Sequence, residues 1–240
     1  EEGSQAAHYT ALAGEKAAER FAVSEALHYL DRALALLPED EIGKQAKLRL
    51  IREKVYSLQG MRQPQRDELV ALEALSPQLP TKTQAEIYLR RAAYEWIMEN
   101  YQHEKAAISC AIQKARSCRS KDLEARAYFL LGQSDDKMNK RLEHLKRAQK
   151  LAHEAKDLGV EADVMRWLGN TAYWQNQYAE SMEYLSQALA IHREVGDLRG
   201  ELSALNNLGL VHKTLGNLQK AAQYYGQAQE ICQKISDKLA

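Results

Sequence analysis

Seven histidines and three cysteines are the residues of this chain best suited to metal or nucleophilic chemistry, and their spacing argues against both. His8, His28, His103, His144, His153, His192 and His212 include no pair four apart, so no helix can present two imidazoles to one ion. No H-E-x-x-H occurs. Cys110, Cys118 and Cys232 form no C-x-x-C, and their odd number argues against a disulfide framework. Cys110 and Cys118 fall on one predicted helix, roughly 12 Å apart at about 1.5 Å per residue, too far to bridge. They read as small apolar residues. There is no G-x-S-x-G elbow and no glycine-rich phosphate loop of the form G-x-x-x-x-G-K-[ST]. Acidic pairs are frequent, but with 28% charged residues they read as solvated faces or i, i+4 partners of Lys and Arg. The expectation is a chain that is not an enzyme and holds no metal and no cofactor.

Charge narrows the partners. Lys plus Arg (33) balances Asp plus Glu (33), so no global field draws the chain to nucleic acid or an anionic membrane. The densest basic run is Lys140, Arg141, Lys146, Arg147 and Lys150, interleaved with Glu143 and Glu154. It reads as a solvated convex face, with a phosphate-backbone contact as the sharper alternative. No apolar run reaches the ~18 residues of a membrane span, and no signal peptide is visible. A cytoplasmic location is expected. The chain starts at Glu1 without methionine, which reads as a fragment or processed product.

The elements that must carry any binding surface are helices. Asp157–Asp237 is nearly one stretch written twice: Gly169 falls on Gly209, Tyr178 on Leu218, Ala188 on Ala228 and Asp197 on Asp237. Such a period with helical composition is the mark of a stacked helical-repeat array. Earlier, Ala26, Leu27, Leu30, Ala33, Leu34 and Leu37 keep the spacing of a helix burying one face, and Pro38 stops it. Six helix pairs are predicted, at about 4–37, 42–75, 81–118, 121–156, 158–196 and 198–236, forming one repeat domain. Residues 134–140 form a compressed turn in the fourth pair. Three of the four prolines lie between 64 and 80, the expected hinge. Asp122, Asp157 and Asp197 stand at predicted helix starts, where a carboxylate accepts orphan N–H bonds. Gly159 and Gly196 fall near helix ends, where a left-handed residue is often needed.

The pattern resembles the tetratricopeptide repeat (TPR). In the last pair Leu205, Leu208, Gly209 and His212 take the first-helix positions, followed by Ala221, Tyr225 and Ala228. In the fifth, Met165, Leu168, Gly169 and Ala172 precede Ser181, Leu185 and Ala188. Leu89, Ala92, Ala93 and Trp96 fit in the third; the second pair is the weakest. The resemblance implies an all-α, right-handed superhelical solenoid of about six antiparallel helix pairs. It also implies that first helices line a concave groove. Carried over, the groove positions are Arg90, Arg91 and Tyr94; Arg126, Phe129 and Gln133; Arg166, Trp167, Asn170, Tyr173 and Trp174; and Asn206, Asn207 and Lys213. Asn amides match the N–H and C=O of an extended peptide, Arg forks suit carboxylate or phosphate, and aromatics add flat apolar area. Arg166, Asn170 and Asn207 resemble part of the carboxylate clamp of some TPR domains, although the family has Lys at the first place. The same Asn and aromatic types also serve ordinary repeat packing.

A second resemblance covers roughly the first 38 positions. AGEKAAERFAVSEALHYLDRALALLP is similar to repeat regions that follow the nucleotide-binding module of large bacterial signalling ATPases. Together these imply a protein-interaction scaffold or sensor arm of a larger signalling protein, engaging a protein or peptide segment in the groove. The alternative is a receptor for a small ligand or short signalling peptide that alters the curvature of the solenoid. Because Asp237–Ala240 sit in the register of Asp197–Gly200, the chain reads as stopping where a further repeat begins. An exposed apolar face is therefore expected on 218–236, around Ala221, Tyr225, Ala228 and Ile231, prone to self-association.

Overall fold

The computed structural model describes the backbone of residues 2–20 and 22–239, and the side chains of residues 6–7, 9–18, 20 and 22–236. Among these there are twelve α-helices, one short 3-10 turn and no strand. The helices are α1 (Glu2–Glu19), α2 (Val23–Leu36), α3 (Ile42–Leu58), α4 (Arg62–Leu75), α5 (Thr81–Ile97), α6 (Tyr101–Ser117), α7 (Lys121–Ser134), α8 (Met138–Ala155), α9 (Leu158–Trp174), α10 (Tyr178–Glu194), α11 (Leu198–Thr214) and α12 (Leu218–Leu239). Consecutive helices pack as pairs, as the periodicity predicts. Contacts divide the chain into two compact units, Glu1–Cys118 and Arg119–Ala240. The prolines expected to make a hinge lie inside the first unit. Pro64 occupies the first turn of α4, where its missing N–H costs nothing, Pro77 sits in the 3-10 turn Ser76–Gln78, and Pro80 precedes α5.

In four of the six pairs the helices cross at a glycine. A Cβ on Gly14 would lie 2.9 Å from Leu30, on Gly132 2.8 Å from Leu145, on Gly169 2.7 Å from Leu185, and on Gly209 2.6 Å from Tyr225. In four pairs the first helix thus gives up its side chain so that a bulky residue of the second can fill the gap. Around these crossings the first unit buries small clusters such as Leu30, Ala33 and Leu48, and Ala46, Leu50, Leu72, Leu79 and Ile87. The second unit buries larger ones: Leu145, Leu151, Val164 and Leu168 with neighbours, and Leu185, Leu189, Leu205, Leu208 and Ile231 with theirs.

The turns are as regular as the crossings. Glu99, Arg119, Lys156 and Asn176, with Gly60, Gly196 and Gly216, all have φ between 55° and 77°. The N–H after six of these residues bonds back to a carbonyl five residues earlier, as in Asp157 N to Ala152 O (3.0 Å) and Asp197 N to His192 O (2.9 Å). This closure satisfies carbonyls that the helix end would otherwise leave open.

Several expectations are corrected. Gly159 lies in the first turn of α9, and the left-handed residue of that turn is Lys156. Asp157 and Asp197 do cap, accepting from Val160 N and from Arg199 N and Gly200 N. Asp122 does not: it is the second residue of α7, and its carboxylate takes a hydrogen bond from the Ser120 hydroxyl. The apolar face expected to be exposed on α12 is mostly covered. Ala221, Ala228 and Ile231 are buried, because they are the residues that α12 turns toward its own partner α11. Gln219, Gln223, Gln227, Gln229 and Gln233 are exposed, and Tyr225 is 37% exposed. The repeat register also places a turn after 234, yet α12 continues to Leu239. The side chains of Asp237–Ala240 lie outside the described residues.

Candidate functional site

In the second unit α9 touches both α7 and α11, so the first helices of three pairs lie side by side. Their outward stripes follow from the 40-residue register: Arg166, Trp167, Asn170, Tyr173 and Trp174 on α9 correspond to Asn206, Asn207, Leu210, Lys213 and Thr214 on α11. The two stripes meet where Tyr173 Oη and Thr214 Oγ1 share a hydrogen bond of 3.0 Å. Tyr173 also rests against the Tyr178 ring (5.8 Å) and on the Leu185–Leu208 core, so its position is held from three sides.

On this face the amides are the groups left over. Asn170 and Asn207 are half-buried and Asn206 is exposed, and none makes a side-chain hydrogen bond among the described residues. Lys213 is exposed and makes no ion pair among them. Trp174 is 50% exposed and Leu210 is 40% exposed. Trp167 is half-buried against the core of the preceding pair, with its ring 6.3 Å from Trp174 in an edge-on arrangement.

The predicted arginines are mostly committed within the chain. Arg166 Nη2 holds Asp163 (3.0 Å), while its Nε is buried without a hydrogen bond. Arg126 Nη2 reaches Asp157 Oδ2 (2.9 Å), bracing the carboxylate that caps α9. Arg90 bridges α5 to α3 through Glu53 Oε2 (2.7 Å), and also holds Glu86 (2.9 Å). Burial opposes the charge of Arg90, but Glu53 and Glu86 outweigh it and hold its pKa above the ordinary value. Glu53 is buried and accepts from Gln65 Nε2 (2.7 Å) as well, so this network is structural cross-bracing. Phe129 packs on the core of its pair and Gln133 is half-buried.

Arg141 was placed by its sequence neighbourhood in a solvated basic run. Instead its guanidinium stands over the Trp174 ring (5.1 Å), and its Nε is buried without a hydrogen bond. The other lysines of the run, Lys140, Lys146 and Lys150, are exposed as expected. The compressed turn 135–137 sets where α8 begins, and only the pairing of helices reveals that α8 delivers Arg141 to the end of α9.

In the first unit Arg91 and Tyr94 line a cavity of about 320 Å³ with Arg66, Glu95, Met98 and His103. Arg91 Nε pairs with Glu95 (2.8 Å) and, more loosely, Glu73 (3.7 Å), and its Nη1 is buried without a hydrogen bond. Tyr94 is 5% exposed, its ring 5.9 Å from the guanidinium. Burial, with Glu95 assisting and Arg91 opposing, raises the carboxyl pKa of Glu73. Among the described residues no group of three or more His, Cys, Asp or Glu is placed to hold a metal ion. No helix among them is long and apolar enough to cross a membrane.

Residues 160–234 match the tetratricopeptide repeat family model. Response regulator aspartate phosphatase A of Bacillus subtilis (strain 168) is 41% identical over 61 residues, 25% of this chain and 16% of that protein. G-protein-signaling modulator 1 of Homo sapiens is 33% identical over 66 residues, 28% of this chain, so the chain aligns with only 16% and 10% of the length of these two relatives. Among solved structures, NprR in complex with its cognate peptide NprX superposes at a TM-score of 0.74 with 15% identity, over 97% of this chain and 70% of that one. The signal transduction ATPase with a tetratricopeptide repeat sensor from Pyrococcus horikoshii superposes at 0.68 with 14% identity, over 93% of this chain and 34% of that one. The paired-helix fold is therefore that of TPR solenoids, including the sensor region of a signalling ATPase.

Proposed function

We propose that this TPR-type array is a non-catalytic protein-interaction scaffold, or sensor arm of a larger signalling protein, that binds an extended segment of a partner on the face shared by α9 and α11. The observation that carries the reading is the set of three asparagines, Asn170, Asn206 and Asn207, on adjoining helices with no side-chain hydrogen bond among the described residues. Each amide offers both donors and an acceptor, the complement of a peptide backbone. Trp174 and Leu210 add exposed apolar area beside them, and Lys213 adds a cation for a carboxylate of the segment. Arg90 and Arg126 serve the scaffold, because each is spent on a carboxylate that fixes a helix.

A second reading has a specific observation behind it. The solved NprR structure of the same fold holds a cognate peptide, so the occupant here can equally be a short signalling peptide rather than part of a folded partner. Binding of an array of random 8–12-residue peptides to the full chain separates the two classes from no binding at all. Peptides recovered by the wild type should lose about tenfold in affinity on Asn170→Ala with Asn207→Ala, since each lost hydrogen bond costs about 0.5–1.5 kcal/mol. Recovery of the same peptides at unchanged affinity by the double variant sinks the proposal.

A further inference from the structure

The α9–α11 face carries a cation that the repeat register does not nominate. Arg141 comes from α8, and its guanidinium stands over the Trp174 ring at the end of α9 (5.1 Å). Four other arginines of the second unit, Arg126, Arg147, Arg166 and Arg193, each meet a carboxylate of the chain. Arg141 meets none among the described residues. Its Nε is sealed from solvent, whereas Nη1 and Nη2 reach solvent and make no hydrogen bond or ion pair among those residues. The acids just before α8 do not neutralise it. Asp135 accepts from Lys137 N (3.0 Å) and lies 3.5 Å from His144 Nε2, and Asp136 is exposed with no ion pair among the described residues. The indole thus fixes the plane of a guanidinium whose outer, two-nitrogen edge is open. That edge matches the two oxygens of a carboxylate.

The rest of the face has the same sign. Asn170 lies one turn before Trp174, so its amide and the Arg141 fork are neighbours on one stripe. The outward positions of α9 and α11 include no Asp or Glu, and Arg166 is balanced by Asp163. Lys213 is exposed without an ion pair among the described residues. Two open cations on different helices, Arg141 and Lys213, therefore accompany a stripe of amides and aromatics that carries no acid of its own. A segment with acidic side chains complements both cations, whereas a chain terminus brings a single carboxylate. Nucleic acid fits less well, because neutral amides outnumber the open cations and the chain has no net charge to draw a polyanion.

From these features we infer that the segment bound on the α9–α11 face is acidic, and that the Arg141 fork, held against Trp174, receives one of its Asp or Glu side chains. The inference rests on the peptide-binding reading of that face. It adds the chemistry of the partner and a specificity-determining residue from outside the repeat register.

The test uses the full chain and an array of random 8–12-residue peptides anchored through their C-termini, so that side chains supply every carboxylate. Retained peptides should be enriched in Asp and Glu. Changing the critical acid of a retained peptide to its amide should weaken binding about tenfold in fluorescence anisotropy, the worth of one charge-assisted hydrogen bond. Arg141→Gln should weaken the acidic peptide by about the same factor, leave the amide version's affinity unchanged and keep the thermal midpoint. Arg141→Lys should fall between, since an ammonium keeps the charge without the fork. Arg141→Glu should prefer the peptide with Lys in place of the acid, a reversal that a merely structural role for Arg141 would not produce. Retained peptides without an excess of Asp and Glu, or an acid-to-amide loss of the same size in Arg141→Gln as in wild type, overturn this inference and leave the binding face standing. Retention of no peptide, or tighter binding of a short single-stranded DNA than of any peptide, overturns both.

Discussion

At the residue scale the repeats differ by compensating exchanges. Ala152 and Val160 are packed together in one core cluster, and 40 positions on the same two places hold His192 and Gly200. His192 is fully buried, its Nδ1 3.0 Å from Asp197 Oδ2, and a Cβ on Gly200 would lie 2.1 Å from that nitrogen. Gly200→Val should therefore destabilise the second unit by about 3 kcal/mol or more. His192→Ala with Gly200→Val recreates the neighbouring repeat's pair and should recover most of the loss, read as a coupling energy in a denaturant double-mutant cycle. Arg90→Ala should cost about 3 kcal/mol by leaving Glu53 buried and unpaired, and should leave peptide binding at the α9–α11 face unchanged. His212, 7% exposed and stacked on Tyr224 at 5.4 Å, has its pKa lowered by burial and by Lys220. The unfolded chain thus binds the proton more readily, so stability falls as pH drops through the ordinary histidine value near 6.5. His212→Gln should flatten that fall in urea midpoints measured from about pH 7.5 to 5.5. The exchange at 192 and 200 is visible once the repeats are aligned. The partners of Arg90 are not, because Glu53 comes from a helix 37 positions away with no repeat marker to align it.

At the element scale the crossings and the turns do most of the specifying. Gly169→Ala places a methyl 2.7 Å from Leu185 and 3.2 Å from the Ser181 carbonyl, and should cost about 1–3 kcal/mol by overpacking. Lys156 is a left-handed residue without glycine's freedom, at φ 56°. Lys156→Gly relieves roughly 1–2 kcal/mol of steric cost and gives back part of it in unfolded-chain entropy. A net gain of about 0.5–1 kcal/mol in denaturant unfolding is expected, and a net loss would show that Lys156 holds a contact that outweighs its backbone. Helix existence was legible because apolar spacing and the glycine–bulky pairs recur along the chain. The turn residue was not: Gly159 looks like the helix stop, but the five-residue closure onto Ala152 puts the left-handed position at Lys156. Likewise Ala221, Ala228 and Ile231 form an apolar stripe in sequence, and only the packed pair shows that α11 covers it.

At the scale of the whole molecule, composition and repeat period together predict a helical-repeat array. A neutral charge balance and scattered histidines argue against readings that need a field or a ligand cluster. What the repeat register could not tell was which of the nominated residues remain available. It nominated arginines and asparagines alike, whereas packing pairs the arginines with Asp163, Asp157, Glu53 and Glu95 and leaves the amides. That asymmetry is the central claim, and it turns a list of positions into a ranking. The most direct measurement is peptide affinity for the full chain, compared between Asn170→Ala with Asn207→Ala and Arg126→Gln. The account predicts about a tenfold loss for the asparagine pair and less than about a twofold change for Arg126→Gln. Loss confined to the arginine variant, with the asparagine pair binding as well as wild type, would contradict it.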